Sequence, residues 1–289
     1  MASLTTQYPR SFPAAGALAV SVRLDAGTVD VTASDVTEAV VDLTPAEAGD
    51  RAALDLIEKS QVDLRGNALR IEVPRGHGFG GFRRSPAVLV KVTVPRGSSL
   101  ECDTGSADLQ VAGSIQALDY GTGSGDVTVE ACGDVRVRTG SGDAQLREVA
   151  AASVKTGSGD ITIDKSSGDL QLQTASGDIQ VGDLAGDARL STGSGDVELG
   201  TTRGRIGAKT ASGDISVRRA DSGDLAATTA SGDVTVGVPA GTAARLDCSS
   251  VSGRVHSHLE PTDAPGDAER HLSLAARTVS GSVTILRAT

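Results

Sequence analysis

Aromatic side chains are nearly missing from this chain. Tryptophan is absent, and Tyr8, Phe12, Phe79, Phe82 and Tyr120 account for an aromatic content of 2%. A core of bulky rings is thereby excluded, and so is a row of aromatic platforms for stacking sugars. Whatever packs here is small and aliphatic. Long apolar runs are missing as well. No stretch approaches the ~18 to 20 apolar residues of a membrane-spanning helix, and Met1 to Pro13 lacks the basic start, apolar middle and small-residue cleavage site of a signal peptide. The expectation is a cytoplasmic protein without direct membrane insertion. Cysteine is scarce: Cys102, Cys132 and Cys248 lie far apart with no Cys-x-x-Cys spacing, and an odd count closes no disulfide framework. Reduced, partly buried thiols are expected.

What the chain does have is glycine, 36 of 289 residues, and an uneven surplus of acid. Residues 1–100 hold 11 Lys/Arg and 11 Asp/Glu, residues 101–240 hold 11 and 21, and residues 241–289 hold 5 and 5, so the middle segment carries the whole net charge of −10. A surface of that sign repels nucleic acid and anionic lipid, which removes both as partners of this segment.

A short repeat explains the middle segment. From Gly125 a Gly-Asp pair recurs at residues 133, 142, 159, 168, 177, 186, 195, 213, 223 and 232, in steps of 8, 9, 17, 9, 9, 9, 9, 18, 10 and 9. The two double steps hide absent pairs near Ala151 and at Gly204-Arg205. After each pair the chain alternates apolar, polar, apolar, as in Asp160-Ile161-Thr162-Ile163 and Asp178-Ile179-Gln180-Val181. That pattern is a half-buried strand. Alternate units close with Thr-Gly/Ala-Ser, so the true period is a pair of units, about 18 residues. Short strands of this kind bury their inner faces only by stacking, coil on coil. The chain reads as an all-β parallel β-solenoid, a β-helix or β-roll of ~18-residue coils built from nine-residue half-repeats. Thr122, Thr139, Thr156, Thr174, Thr192, Thr210 and Thr229 keep the inward parity and form a ladder satisfied by hydroxyl-to-hydroxyl and hydroxyl-to-backbone bonds.

Three regions follow: an irregular β-rich N-terminal cap over 1–100, the regular Ser-Gly-Asp solenoid over 101–240, and a C-terminal β cap over 241–289, in one continuous domain. The first contains strands at Leu18 to Leu24, Thr28 to Thr32, Ala39 to Leu43, Ala68 to Val73 and Ala87 to Val94. Thr44-Pro45-Ala46-Glu47 reads as a helix start, leading to a single helix that ends near Lys59. In the third, strands are expected at Ser250 to His258, His271 to Thr278 and Ser282 to Leu286. There Arg254 and Ser282 replace the turn acid, as caps that block end-to-end pairing would require.

The recurring Thr-Gly-Ser-Gly-Asp-Val/Ile-x-Val, the stretch Pro95-Arg96-Gly97-Ser98-Ser99-Leu100 leading into Thr104-Gly105-Ser106-Ala107-Asp108, and the closing Arg277-Thr278-Val279-Ser280-Gly281-Ser282-Val283-Thr284-Ile285 resemble a bacterial adhesin-like domain of unknown function, a β-strand-repeat family with Ser-Gly-Asp repeats. The resemblance spans nearly the whole chain. It implies the repeat architecture and no catalytic residues, and in Gram-positive relatives an association with envelope-stress proteins.

Candidate chemistry is sparse. If Asp126, Asp143, Asp160, Asp178, Asp196, Asp214 and Asp233 stack at one corner, like charges sit ~5 Å apart and repel. Capping by backbone N–H groups would relieve that, and so would calcium, the one cofactor to consider. In repeats-in-toxin β-rolls the register is Gly-Gly-x-Gly-x-Asp-x-apolar, whereas here aspartate directly precedes the first apolar residue. His256 and His258 share strand parity and His271 begins a nearby strand; they read as exposed positions on a cap strand, with a metal cluster as the alternative. The loop Arg75 to Arg84 lacks nucleotide-binding spacing. Its Phe79, Phe82, Arg83 and Arg84 either fold back on the solenoid end or grip a protein partner. His77, His256, His258 and His271 all lie outside the repeat, so its serines have no base. The expectation is a non-enzymatic, monomeric or weakly homo-oligomeric binding or scaffolding protein acting through an acidic repeat surface. The alternatives are a divalent-cation module, a self-assembling scaffold and a carbohydrate-active solenoid enzyme.

Overall fold

The computed structural model describes residues 8–75, 85–260 and 270–288. It is all-β with one helix, and it divides into two compact units, Met1–Asp143 and Ala144–Thr289.

The first unit contains β1 (Arg10–Pro13), β2 (Ala19–Ser34), β3 (Glu38–Pro45), α1 (Arg51–Glu58), β4 (Gln61–Arg65), β5 (Ala68–Glu72), β6 (Val88–Pro95), β7 (Ser99–Thr122) and β8 (Val127–Thr139). Strand β2 pairs in parallel with β5 and β6 on one side and with β7 on the other, and β7 pairs in parallel with β8. Antiparallel pairs close the N-terminal side: β3 on β6, β4 on β5 and β1 on β3. The helix starts later than the Thr44-Pro45 pattern predicts. Thr44 and Pro45 stay in β3, opposite Leu89 and Val88, and Asp50 is the N-cap, its carboxylate accepting from the N–H groups of Ala52 at 2.9 Å and Ala53 at 3.3 Å. A side-chain cap satisfies helix-start donors that Thr44, held in a ladder, is not placed to reach.

The second unit is two parallel columns of strands: β9 (Ala144–Lys155), β10 (Ile161–Ser166), β11 (Leu170–Gln173), β12 (Ile179–Ala185), β13 (Ala188–Ser191), β14 (Val197–Lys209), β15 (Ile215–Ser231), β16 (Val234–Pro239), β17 (Thr242–Ser250), β18 (Val255–Ser257), β19 (Arg270–Ser280) and β20 (Val283–Ala288). One column runs β9, β10, β12, β14, β15, β16, β20, β18. The other runs β9, β11, β13, β14, β15, β19, β17. Partners in the first column, from Ala144 through Ile161, Ile179, Val197 and Ile215 to Val234, are 17, 18, 18, 18 and 19 residues apart, which is the coil period. In-register stacking brings Ile161, Ile179, Val197 and Ile215 into one row and Leu172, Leu190 and Ala208 into another, all buried. Each row is continuous apolar surface removed from water, worth ~25 cal/mol per Å².

Two features depart from the repeat. Tyr120 puts one ring into the aliphatic core, fully buried, with its hydroxyl donating to the Ala107 carbonyl. At the C-terminal end the chain leaves β16, forms β17 and β18, and then returns so that β19 and β20 lie between that coil and the rest of the stack. The stretch expected as one strand over Ser250 to His258 is broken by the Val251-Ser252-Gly253 corner, so that Ser250 ends β17 and Val255–Ser257 forms β18.

Candidate functional site

The repeated corner Thr-x-Ser-Gly-Asp ties each coil to the one before it through three groups. The hydroxyls of Thr174, Thr192, Thr210 and Thr229 donate to the carbonyls of Gly159, Gly177, Gly195 and Gly213 at 2.9–3.0 Å. The bonds run to backbone, not from hydroxyl to hydroxyl, because each inward threonine meets the preceding turn's glycine oxygen. The aspartates form a second ladder. The N–H of Asp178, Asp196, Asp214 and Asp233 donates to Oδ1 of Asp160, Asp178, Asp196 and Asp214 at 2.7–2.8 Å, and Ser282 N–H closes on Asp233 at 2.7 Å. In the first unit, Asp143 donates to Asp126 and Asp126 to Asp108 in the same way. The third group is glycine, at which any Cβ would run into the preceding coil's carbonyl oxygen.

These bonds decide the electrostatics of the corner. Carboxylates one strand spacing apart, ~4.8 Å, repel by roughly 1 kcal/mol in water. A hydrogen bond to a charged acceptor contributes about 1.5 kcal/mol or more, so the bond outweighs the repulsion. Oδ1 is spent on the backbone, while the exposed carboxylates remain accessible to solvent. An opposite corner repeats the device: Asp187 N–H donates to Asp169 Oδ1 and Arg205 N–H to Asp187 Oδ1. There Arg205 replaces the missing acid, and its guanidinium lies 3.8 Å from Asp187 and 3.8 Å from Asp224. This second ladder was readable in the repeat's Gly168-Asp169, Gly186-Asp187 and Gly223-Asp224 pairs.

Among the described residues no group of three or more His, Cys, Asp or Glu side chains is placed to hold a metal ion. His256 and His271 are exposed but stand in different columns, opposite Thr284 of β20 and Ala243 of β17. The convergence of His256, His258 and His271 weighed from the sequence assumed that β18 and β19 are neighbours; instead each of the two pairs with a different strand. Phe79, Phe82, Arg83 and Arg84 lie outside the described residues. The three cysteines are free thiols. Burial, with help from Asp103 and Asp134, pushes Cys102 and Cys132 up to about 12, and burial pushes the Tyr120 hydroxyl up to about 12. Between the ordinary thiol value and 12 the folded chain holds protons that the unfolded chain has released, so stability falls as pH rises through that window. Melts from pH 8 to pH 11 are expected to show a declining Tm, and the slope is expected to flatten in Cys102→Ala/Cys132→Ala.

Residues 20–287 match the family model described as Toastrack DUF4097. The chain belongs to the Toastrack DUF4097 family. Toastrack is a β-solenoid fold, and the stacked coils are its expression here. Among solved structures, the Toastrack chain is similar to a candidate lipid-binding protein from Parabacteroides distasonis, with 14% identity, coverage of 97% of this chain and 96% of that one, and a TM-score of 0.48. It is also similar to a candidate adhesin from Bacteroides fragilis, with 12% identity, 96% of both chains covered and a TM-score of 0.44. No curated protein matches. No helix among the described residues is long and apolar enough to cross a membrane.

Proposed function

We infer that this adhesin-like Toastrack chain is a non-enzymatic binding scaffold that offers its aspartate corners to a protein partner with a basic surface. One observation carries the reading: exposed carboxylates repeat once per coil, and each is fixed in place by the N–H of the next corner. Preorganised charge at a regular spacing favours a complementary partner and speeds its approach. The acidic balance of residues 101–240 and the absence of histidine there support binding over catalysis. Calcium is the second reading, favoured by the stacked acids themselves, and a cation-binding corner would act in whichever compartment supplies the ion.

The test uses Asp160→Asn/Asp178→Asn/Asp196→Asn. Asparagine keeps the carbonyl acceptor at each rung and removes the charge, so the variant is expected to melt at or above the wild-type temperature in chelator. Replacing the same three by alanine removes the acceptors and is expected to cost about 3 kcal/mol in total. Affinity capture with wild type is expected to retain a basic partner that the asparagine variant loses. Melts in chelator and then with ~1 mM calcium separate the second reading, since a ligand of the native state raises Tm by mass action. A rise of many degrees, lost in the asparagine variant, would replace the scaffold by a calcium module.

A further inference from the structure

Among the described residues nothing covers the apolar core at the last coil. Down one column the in-register residues Leu225 and Leu274 are 2% and 1% exposed, while Leu246 above them is 37% exposed. In the other column Val283 is fully buried and Val255, its neighbour in β18, is 45% exposed. All the exposed large apolar side chains among the described residues, Leu246, Val251, Val255, Val279 and Leu286, belong to these final two coils. The connecting segment 261–269 contains no Leu, Ile, Val, Met or aromatic residue.

The edge strands of this coil have a free side as well. Among the described residues β17 and β18 pair on one side only, with β19 and β20. Natural edge strands are blunted by proline, by charged side chains, lysine above all, or by shortness; β17 runs nine residues with no proline and no lysine. Its charges are Arg245 and Asp247, flanking Leu246 on the outward face, and Asp247 is held by Arg277 at 2.7 Å. An antiparallel copy of β17 centred on Leu246 sets Arg245 opposite Asp247 and Asp247 opposite Arg245, with Leu246 against Leu246 on the core side and Ala244 against Cys248. Directly opposed unlike charges favour such a pairing, and any neighbouring register of the same parity loses at least one of them.

We propose that the chain forms a two-fold homodimer through β17, joining the C-terminal ends of two copies into one continuous sheet and core. A two-fold contact is self-complementary and closes, so the product is a dimer and not a filament.

Sedimentation equilibrium on the full chain tests this. Wild type is expected to be dimeric at ~100 μM, a concentration at which even a micromolar dissociation constant leaves most chains paired. Arg245→Glu carries two acids at the dyad and Asp247→Lys two bases, so each alone is expected to be monomeric. An equimolar mixture of the two variants is expected to restore a dimer containing one of each. Leu246→Gln, at a position already open to solvent, is a second route to the monomer. Unchanged far-ultraviolet spectra and melting in the monomeric state establish that the variants fold. A monomeric wild type, variants that still dimerise, or a mixture that stays monomeric would each overturn the proposal.

Discussion

Gly195→Ala is expected to lower Tm by roughly 7 °C, while Gly207→Ala, twelve residues along the same chain, is expected to change it by less than ~2 °C. The difference lies in what a methyl group meets. At Gly195 a Cβ would overlap the carbonyl oxygen and carbon of Gly177, which belong to backbone and cannot rotate away. That same oxygen already accepts the Thr192 hydroxyl at 2.9 Å, so a displaced corner also breaks a bond and lifts the next aspartate from its acceptor. The combined cost, overlap plus two lost bonds, is on the order of 4 kcal/mol. At Gly207 the nearest atom, the Ala188 carbonyl oxygen, is 3.8 Å from the added carbon, which is ordinary contact. Alanine there removes backbone freedom from the unfolded chain and gives a slight gain. Equal melting of the two variants would show that the coils adjust to the corner side chain, and the close approach would then not be what fixes their spacing.

Much of this architecture is written in the period. Coil length, inward parity and the threonine and aspartate ladders follow from residues that must repeat because each coil sees the same neighbours. The solenoid and its half-repeats were legible for that reason, and so was the strand at Thr28 to Thr32, which lies in β2 in register with β7. Short antiparallel strands were less legible. β4 is five residues long and its pairing with β5 depends on the turn at Gly66, which no period announces. The helix start was misplaced because Thr44-Pro45 has the local chemistry of a cap while its backbone is claimed by β6, a tertiary effect. The return of β19 and β20 inside β17 and β18 is likewise a matter of long-range pairing: Val251-Ser252-Gly253 and Val279-Ser280-Gly281 are equivalent corners, and nothing in either says which is outermost. Of the candidate site, the acids and their capping by backbone N–H groups were visible, but which N–H does it was not, because the bond joins each aspartate to the next coil's aspartate.

Asp221→Ala is expected to destabilise the second unit by about 2–3 kcal/mol, and the reason begins with a single inserted residue. The Gly-Asp pairs step by nine along most of the chain but by ten from Gly213 to Gly223. The parallel ladder absorbs the addition between Thr202↔Ala220 and Arg203↔Ser222, so Asp221 is the residue without an opposite partner. A bulge of this kind re-aims the side chain, and the Asp221 side chain ends only 9% exposed. Burial of a charge is tolerated only when it is paired and hydrogen-bonded. Arg219 Nε donates to it at 2.7 Å and Arg203 Nε at 3.1 Å, with Arg270 at 4.0 Å. Breaking a buried pair by removing one member costs roughly 3–5 kcal/mol; Arg203 and Arg219 are 57% and 33% exposed, so water takes over part of their solvation and the lower figure follows. The cluster also joins three coils, β14, β15 and β19, and the loss is expected to be larger than for any aspartate of the exposed ladders. Asp221→Asn, which keeps the acceptor, is expected to recover part of it, and deletion of Asp221 tests the bulge itself: the coil returns to 18 residues, removing the buried acid and the insertion together. A deletion variant that melts near wild type while Asp221→Ala melts far below it would show that the arginines serve only to neutralise the inserted residue. Equal losses in the two would place the value of the cluster in clamping the three coils.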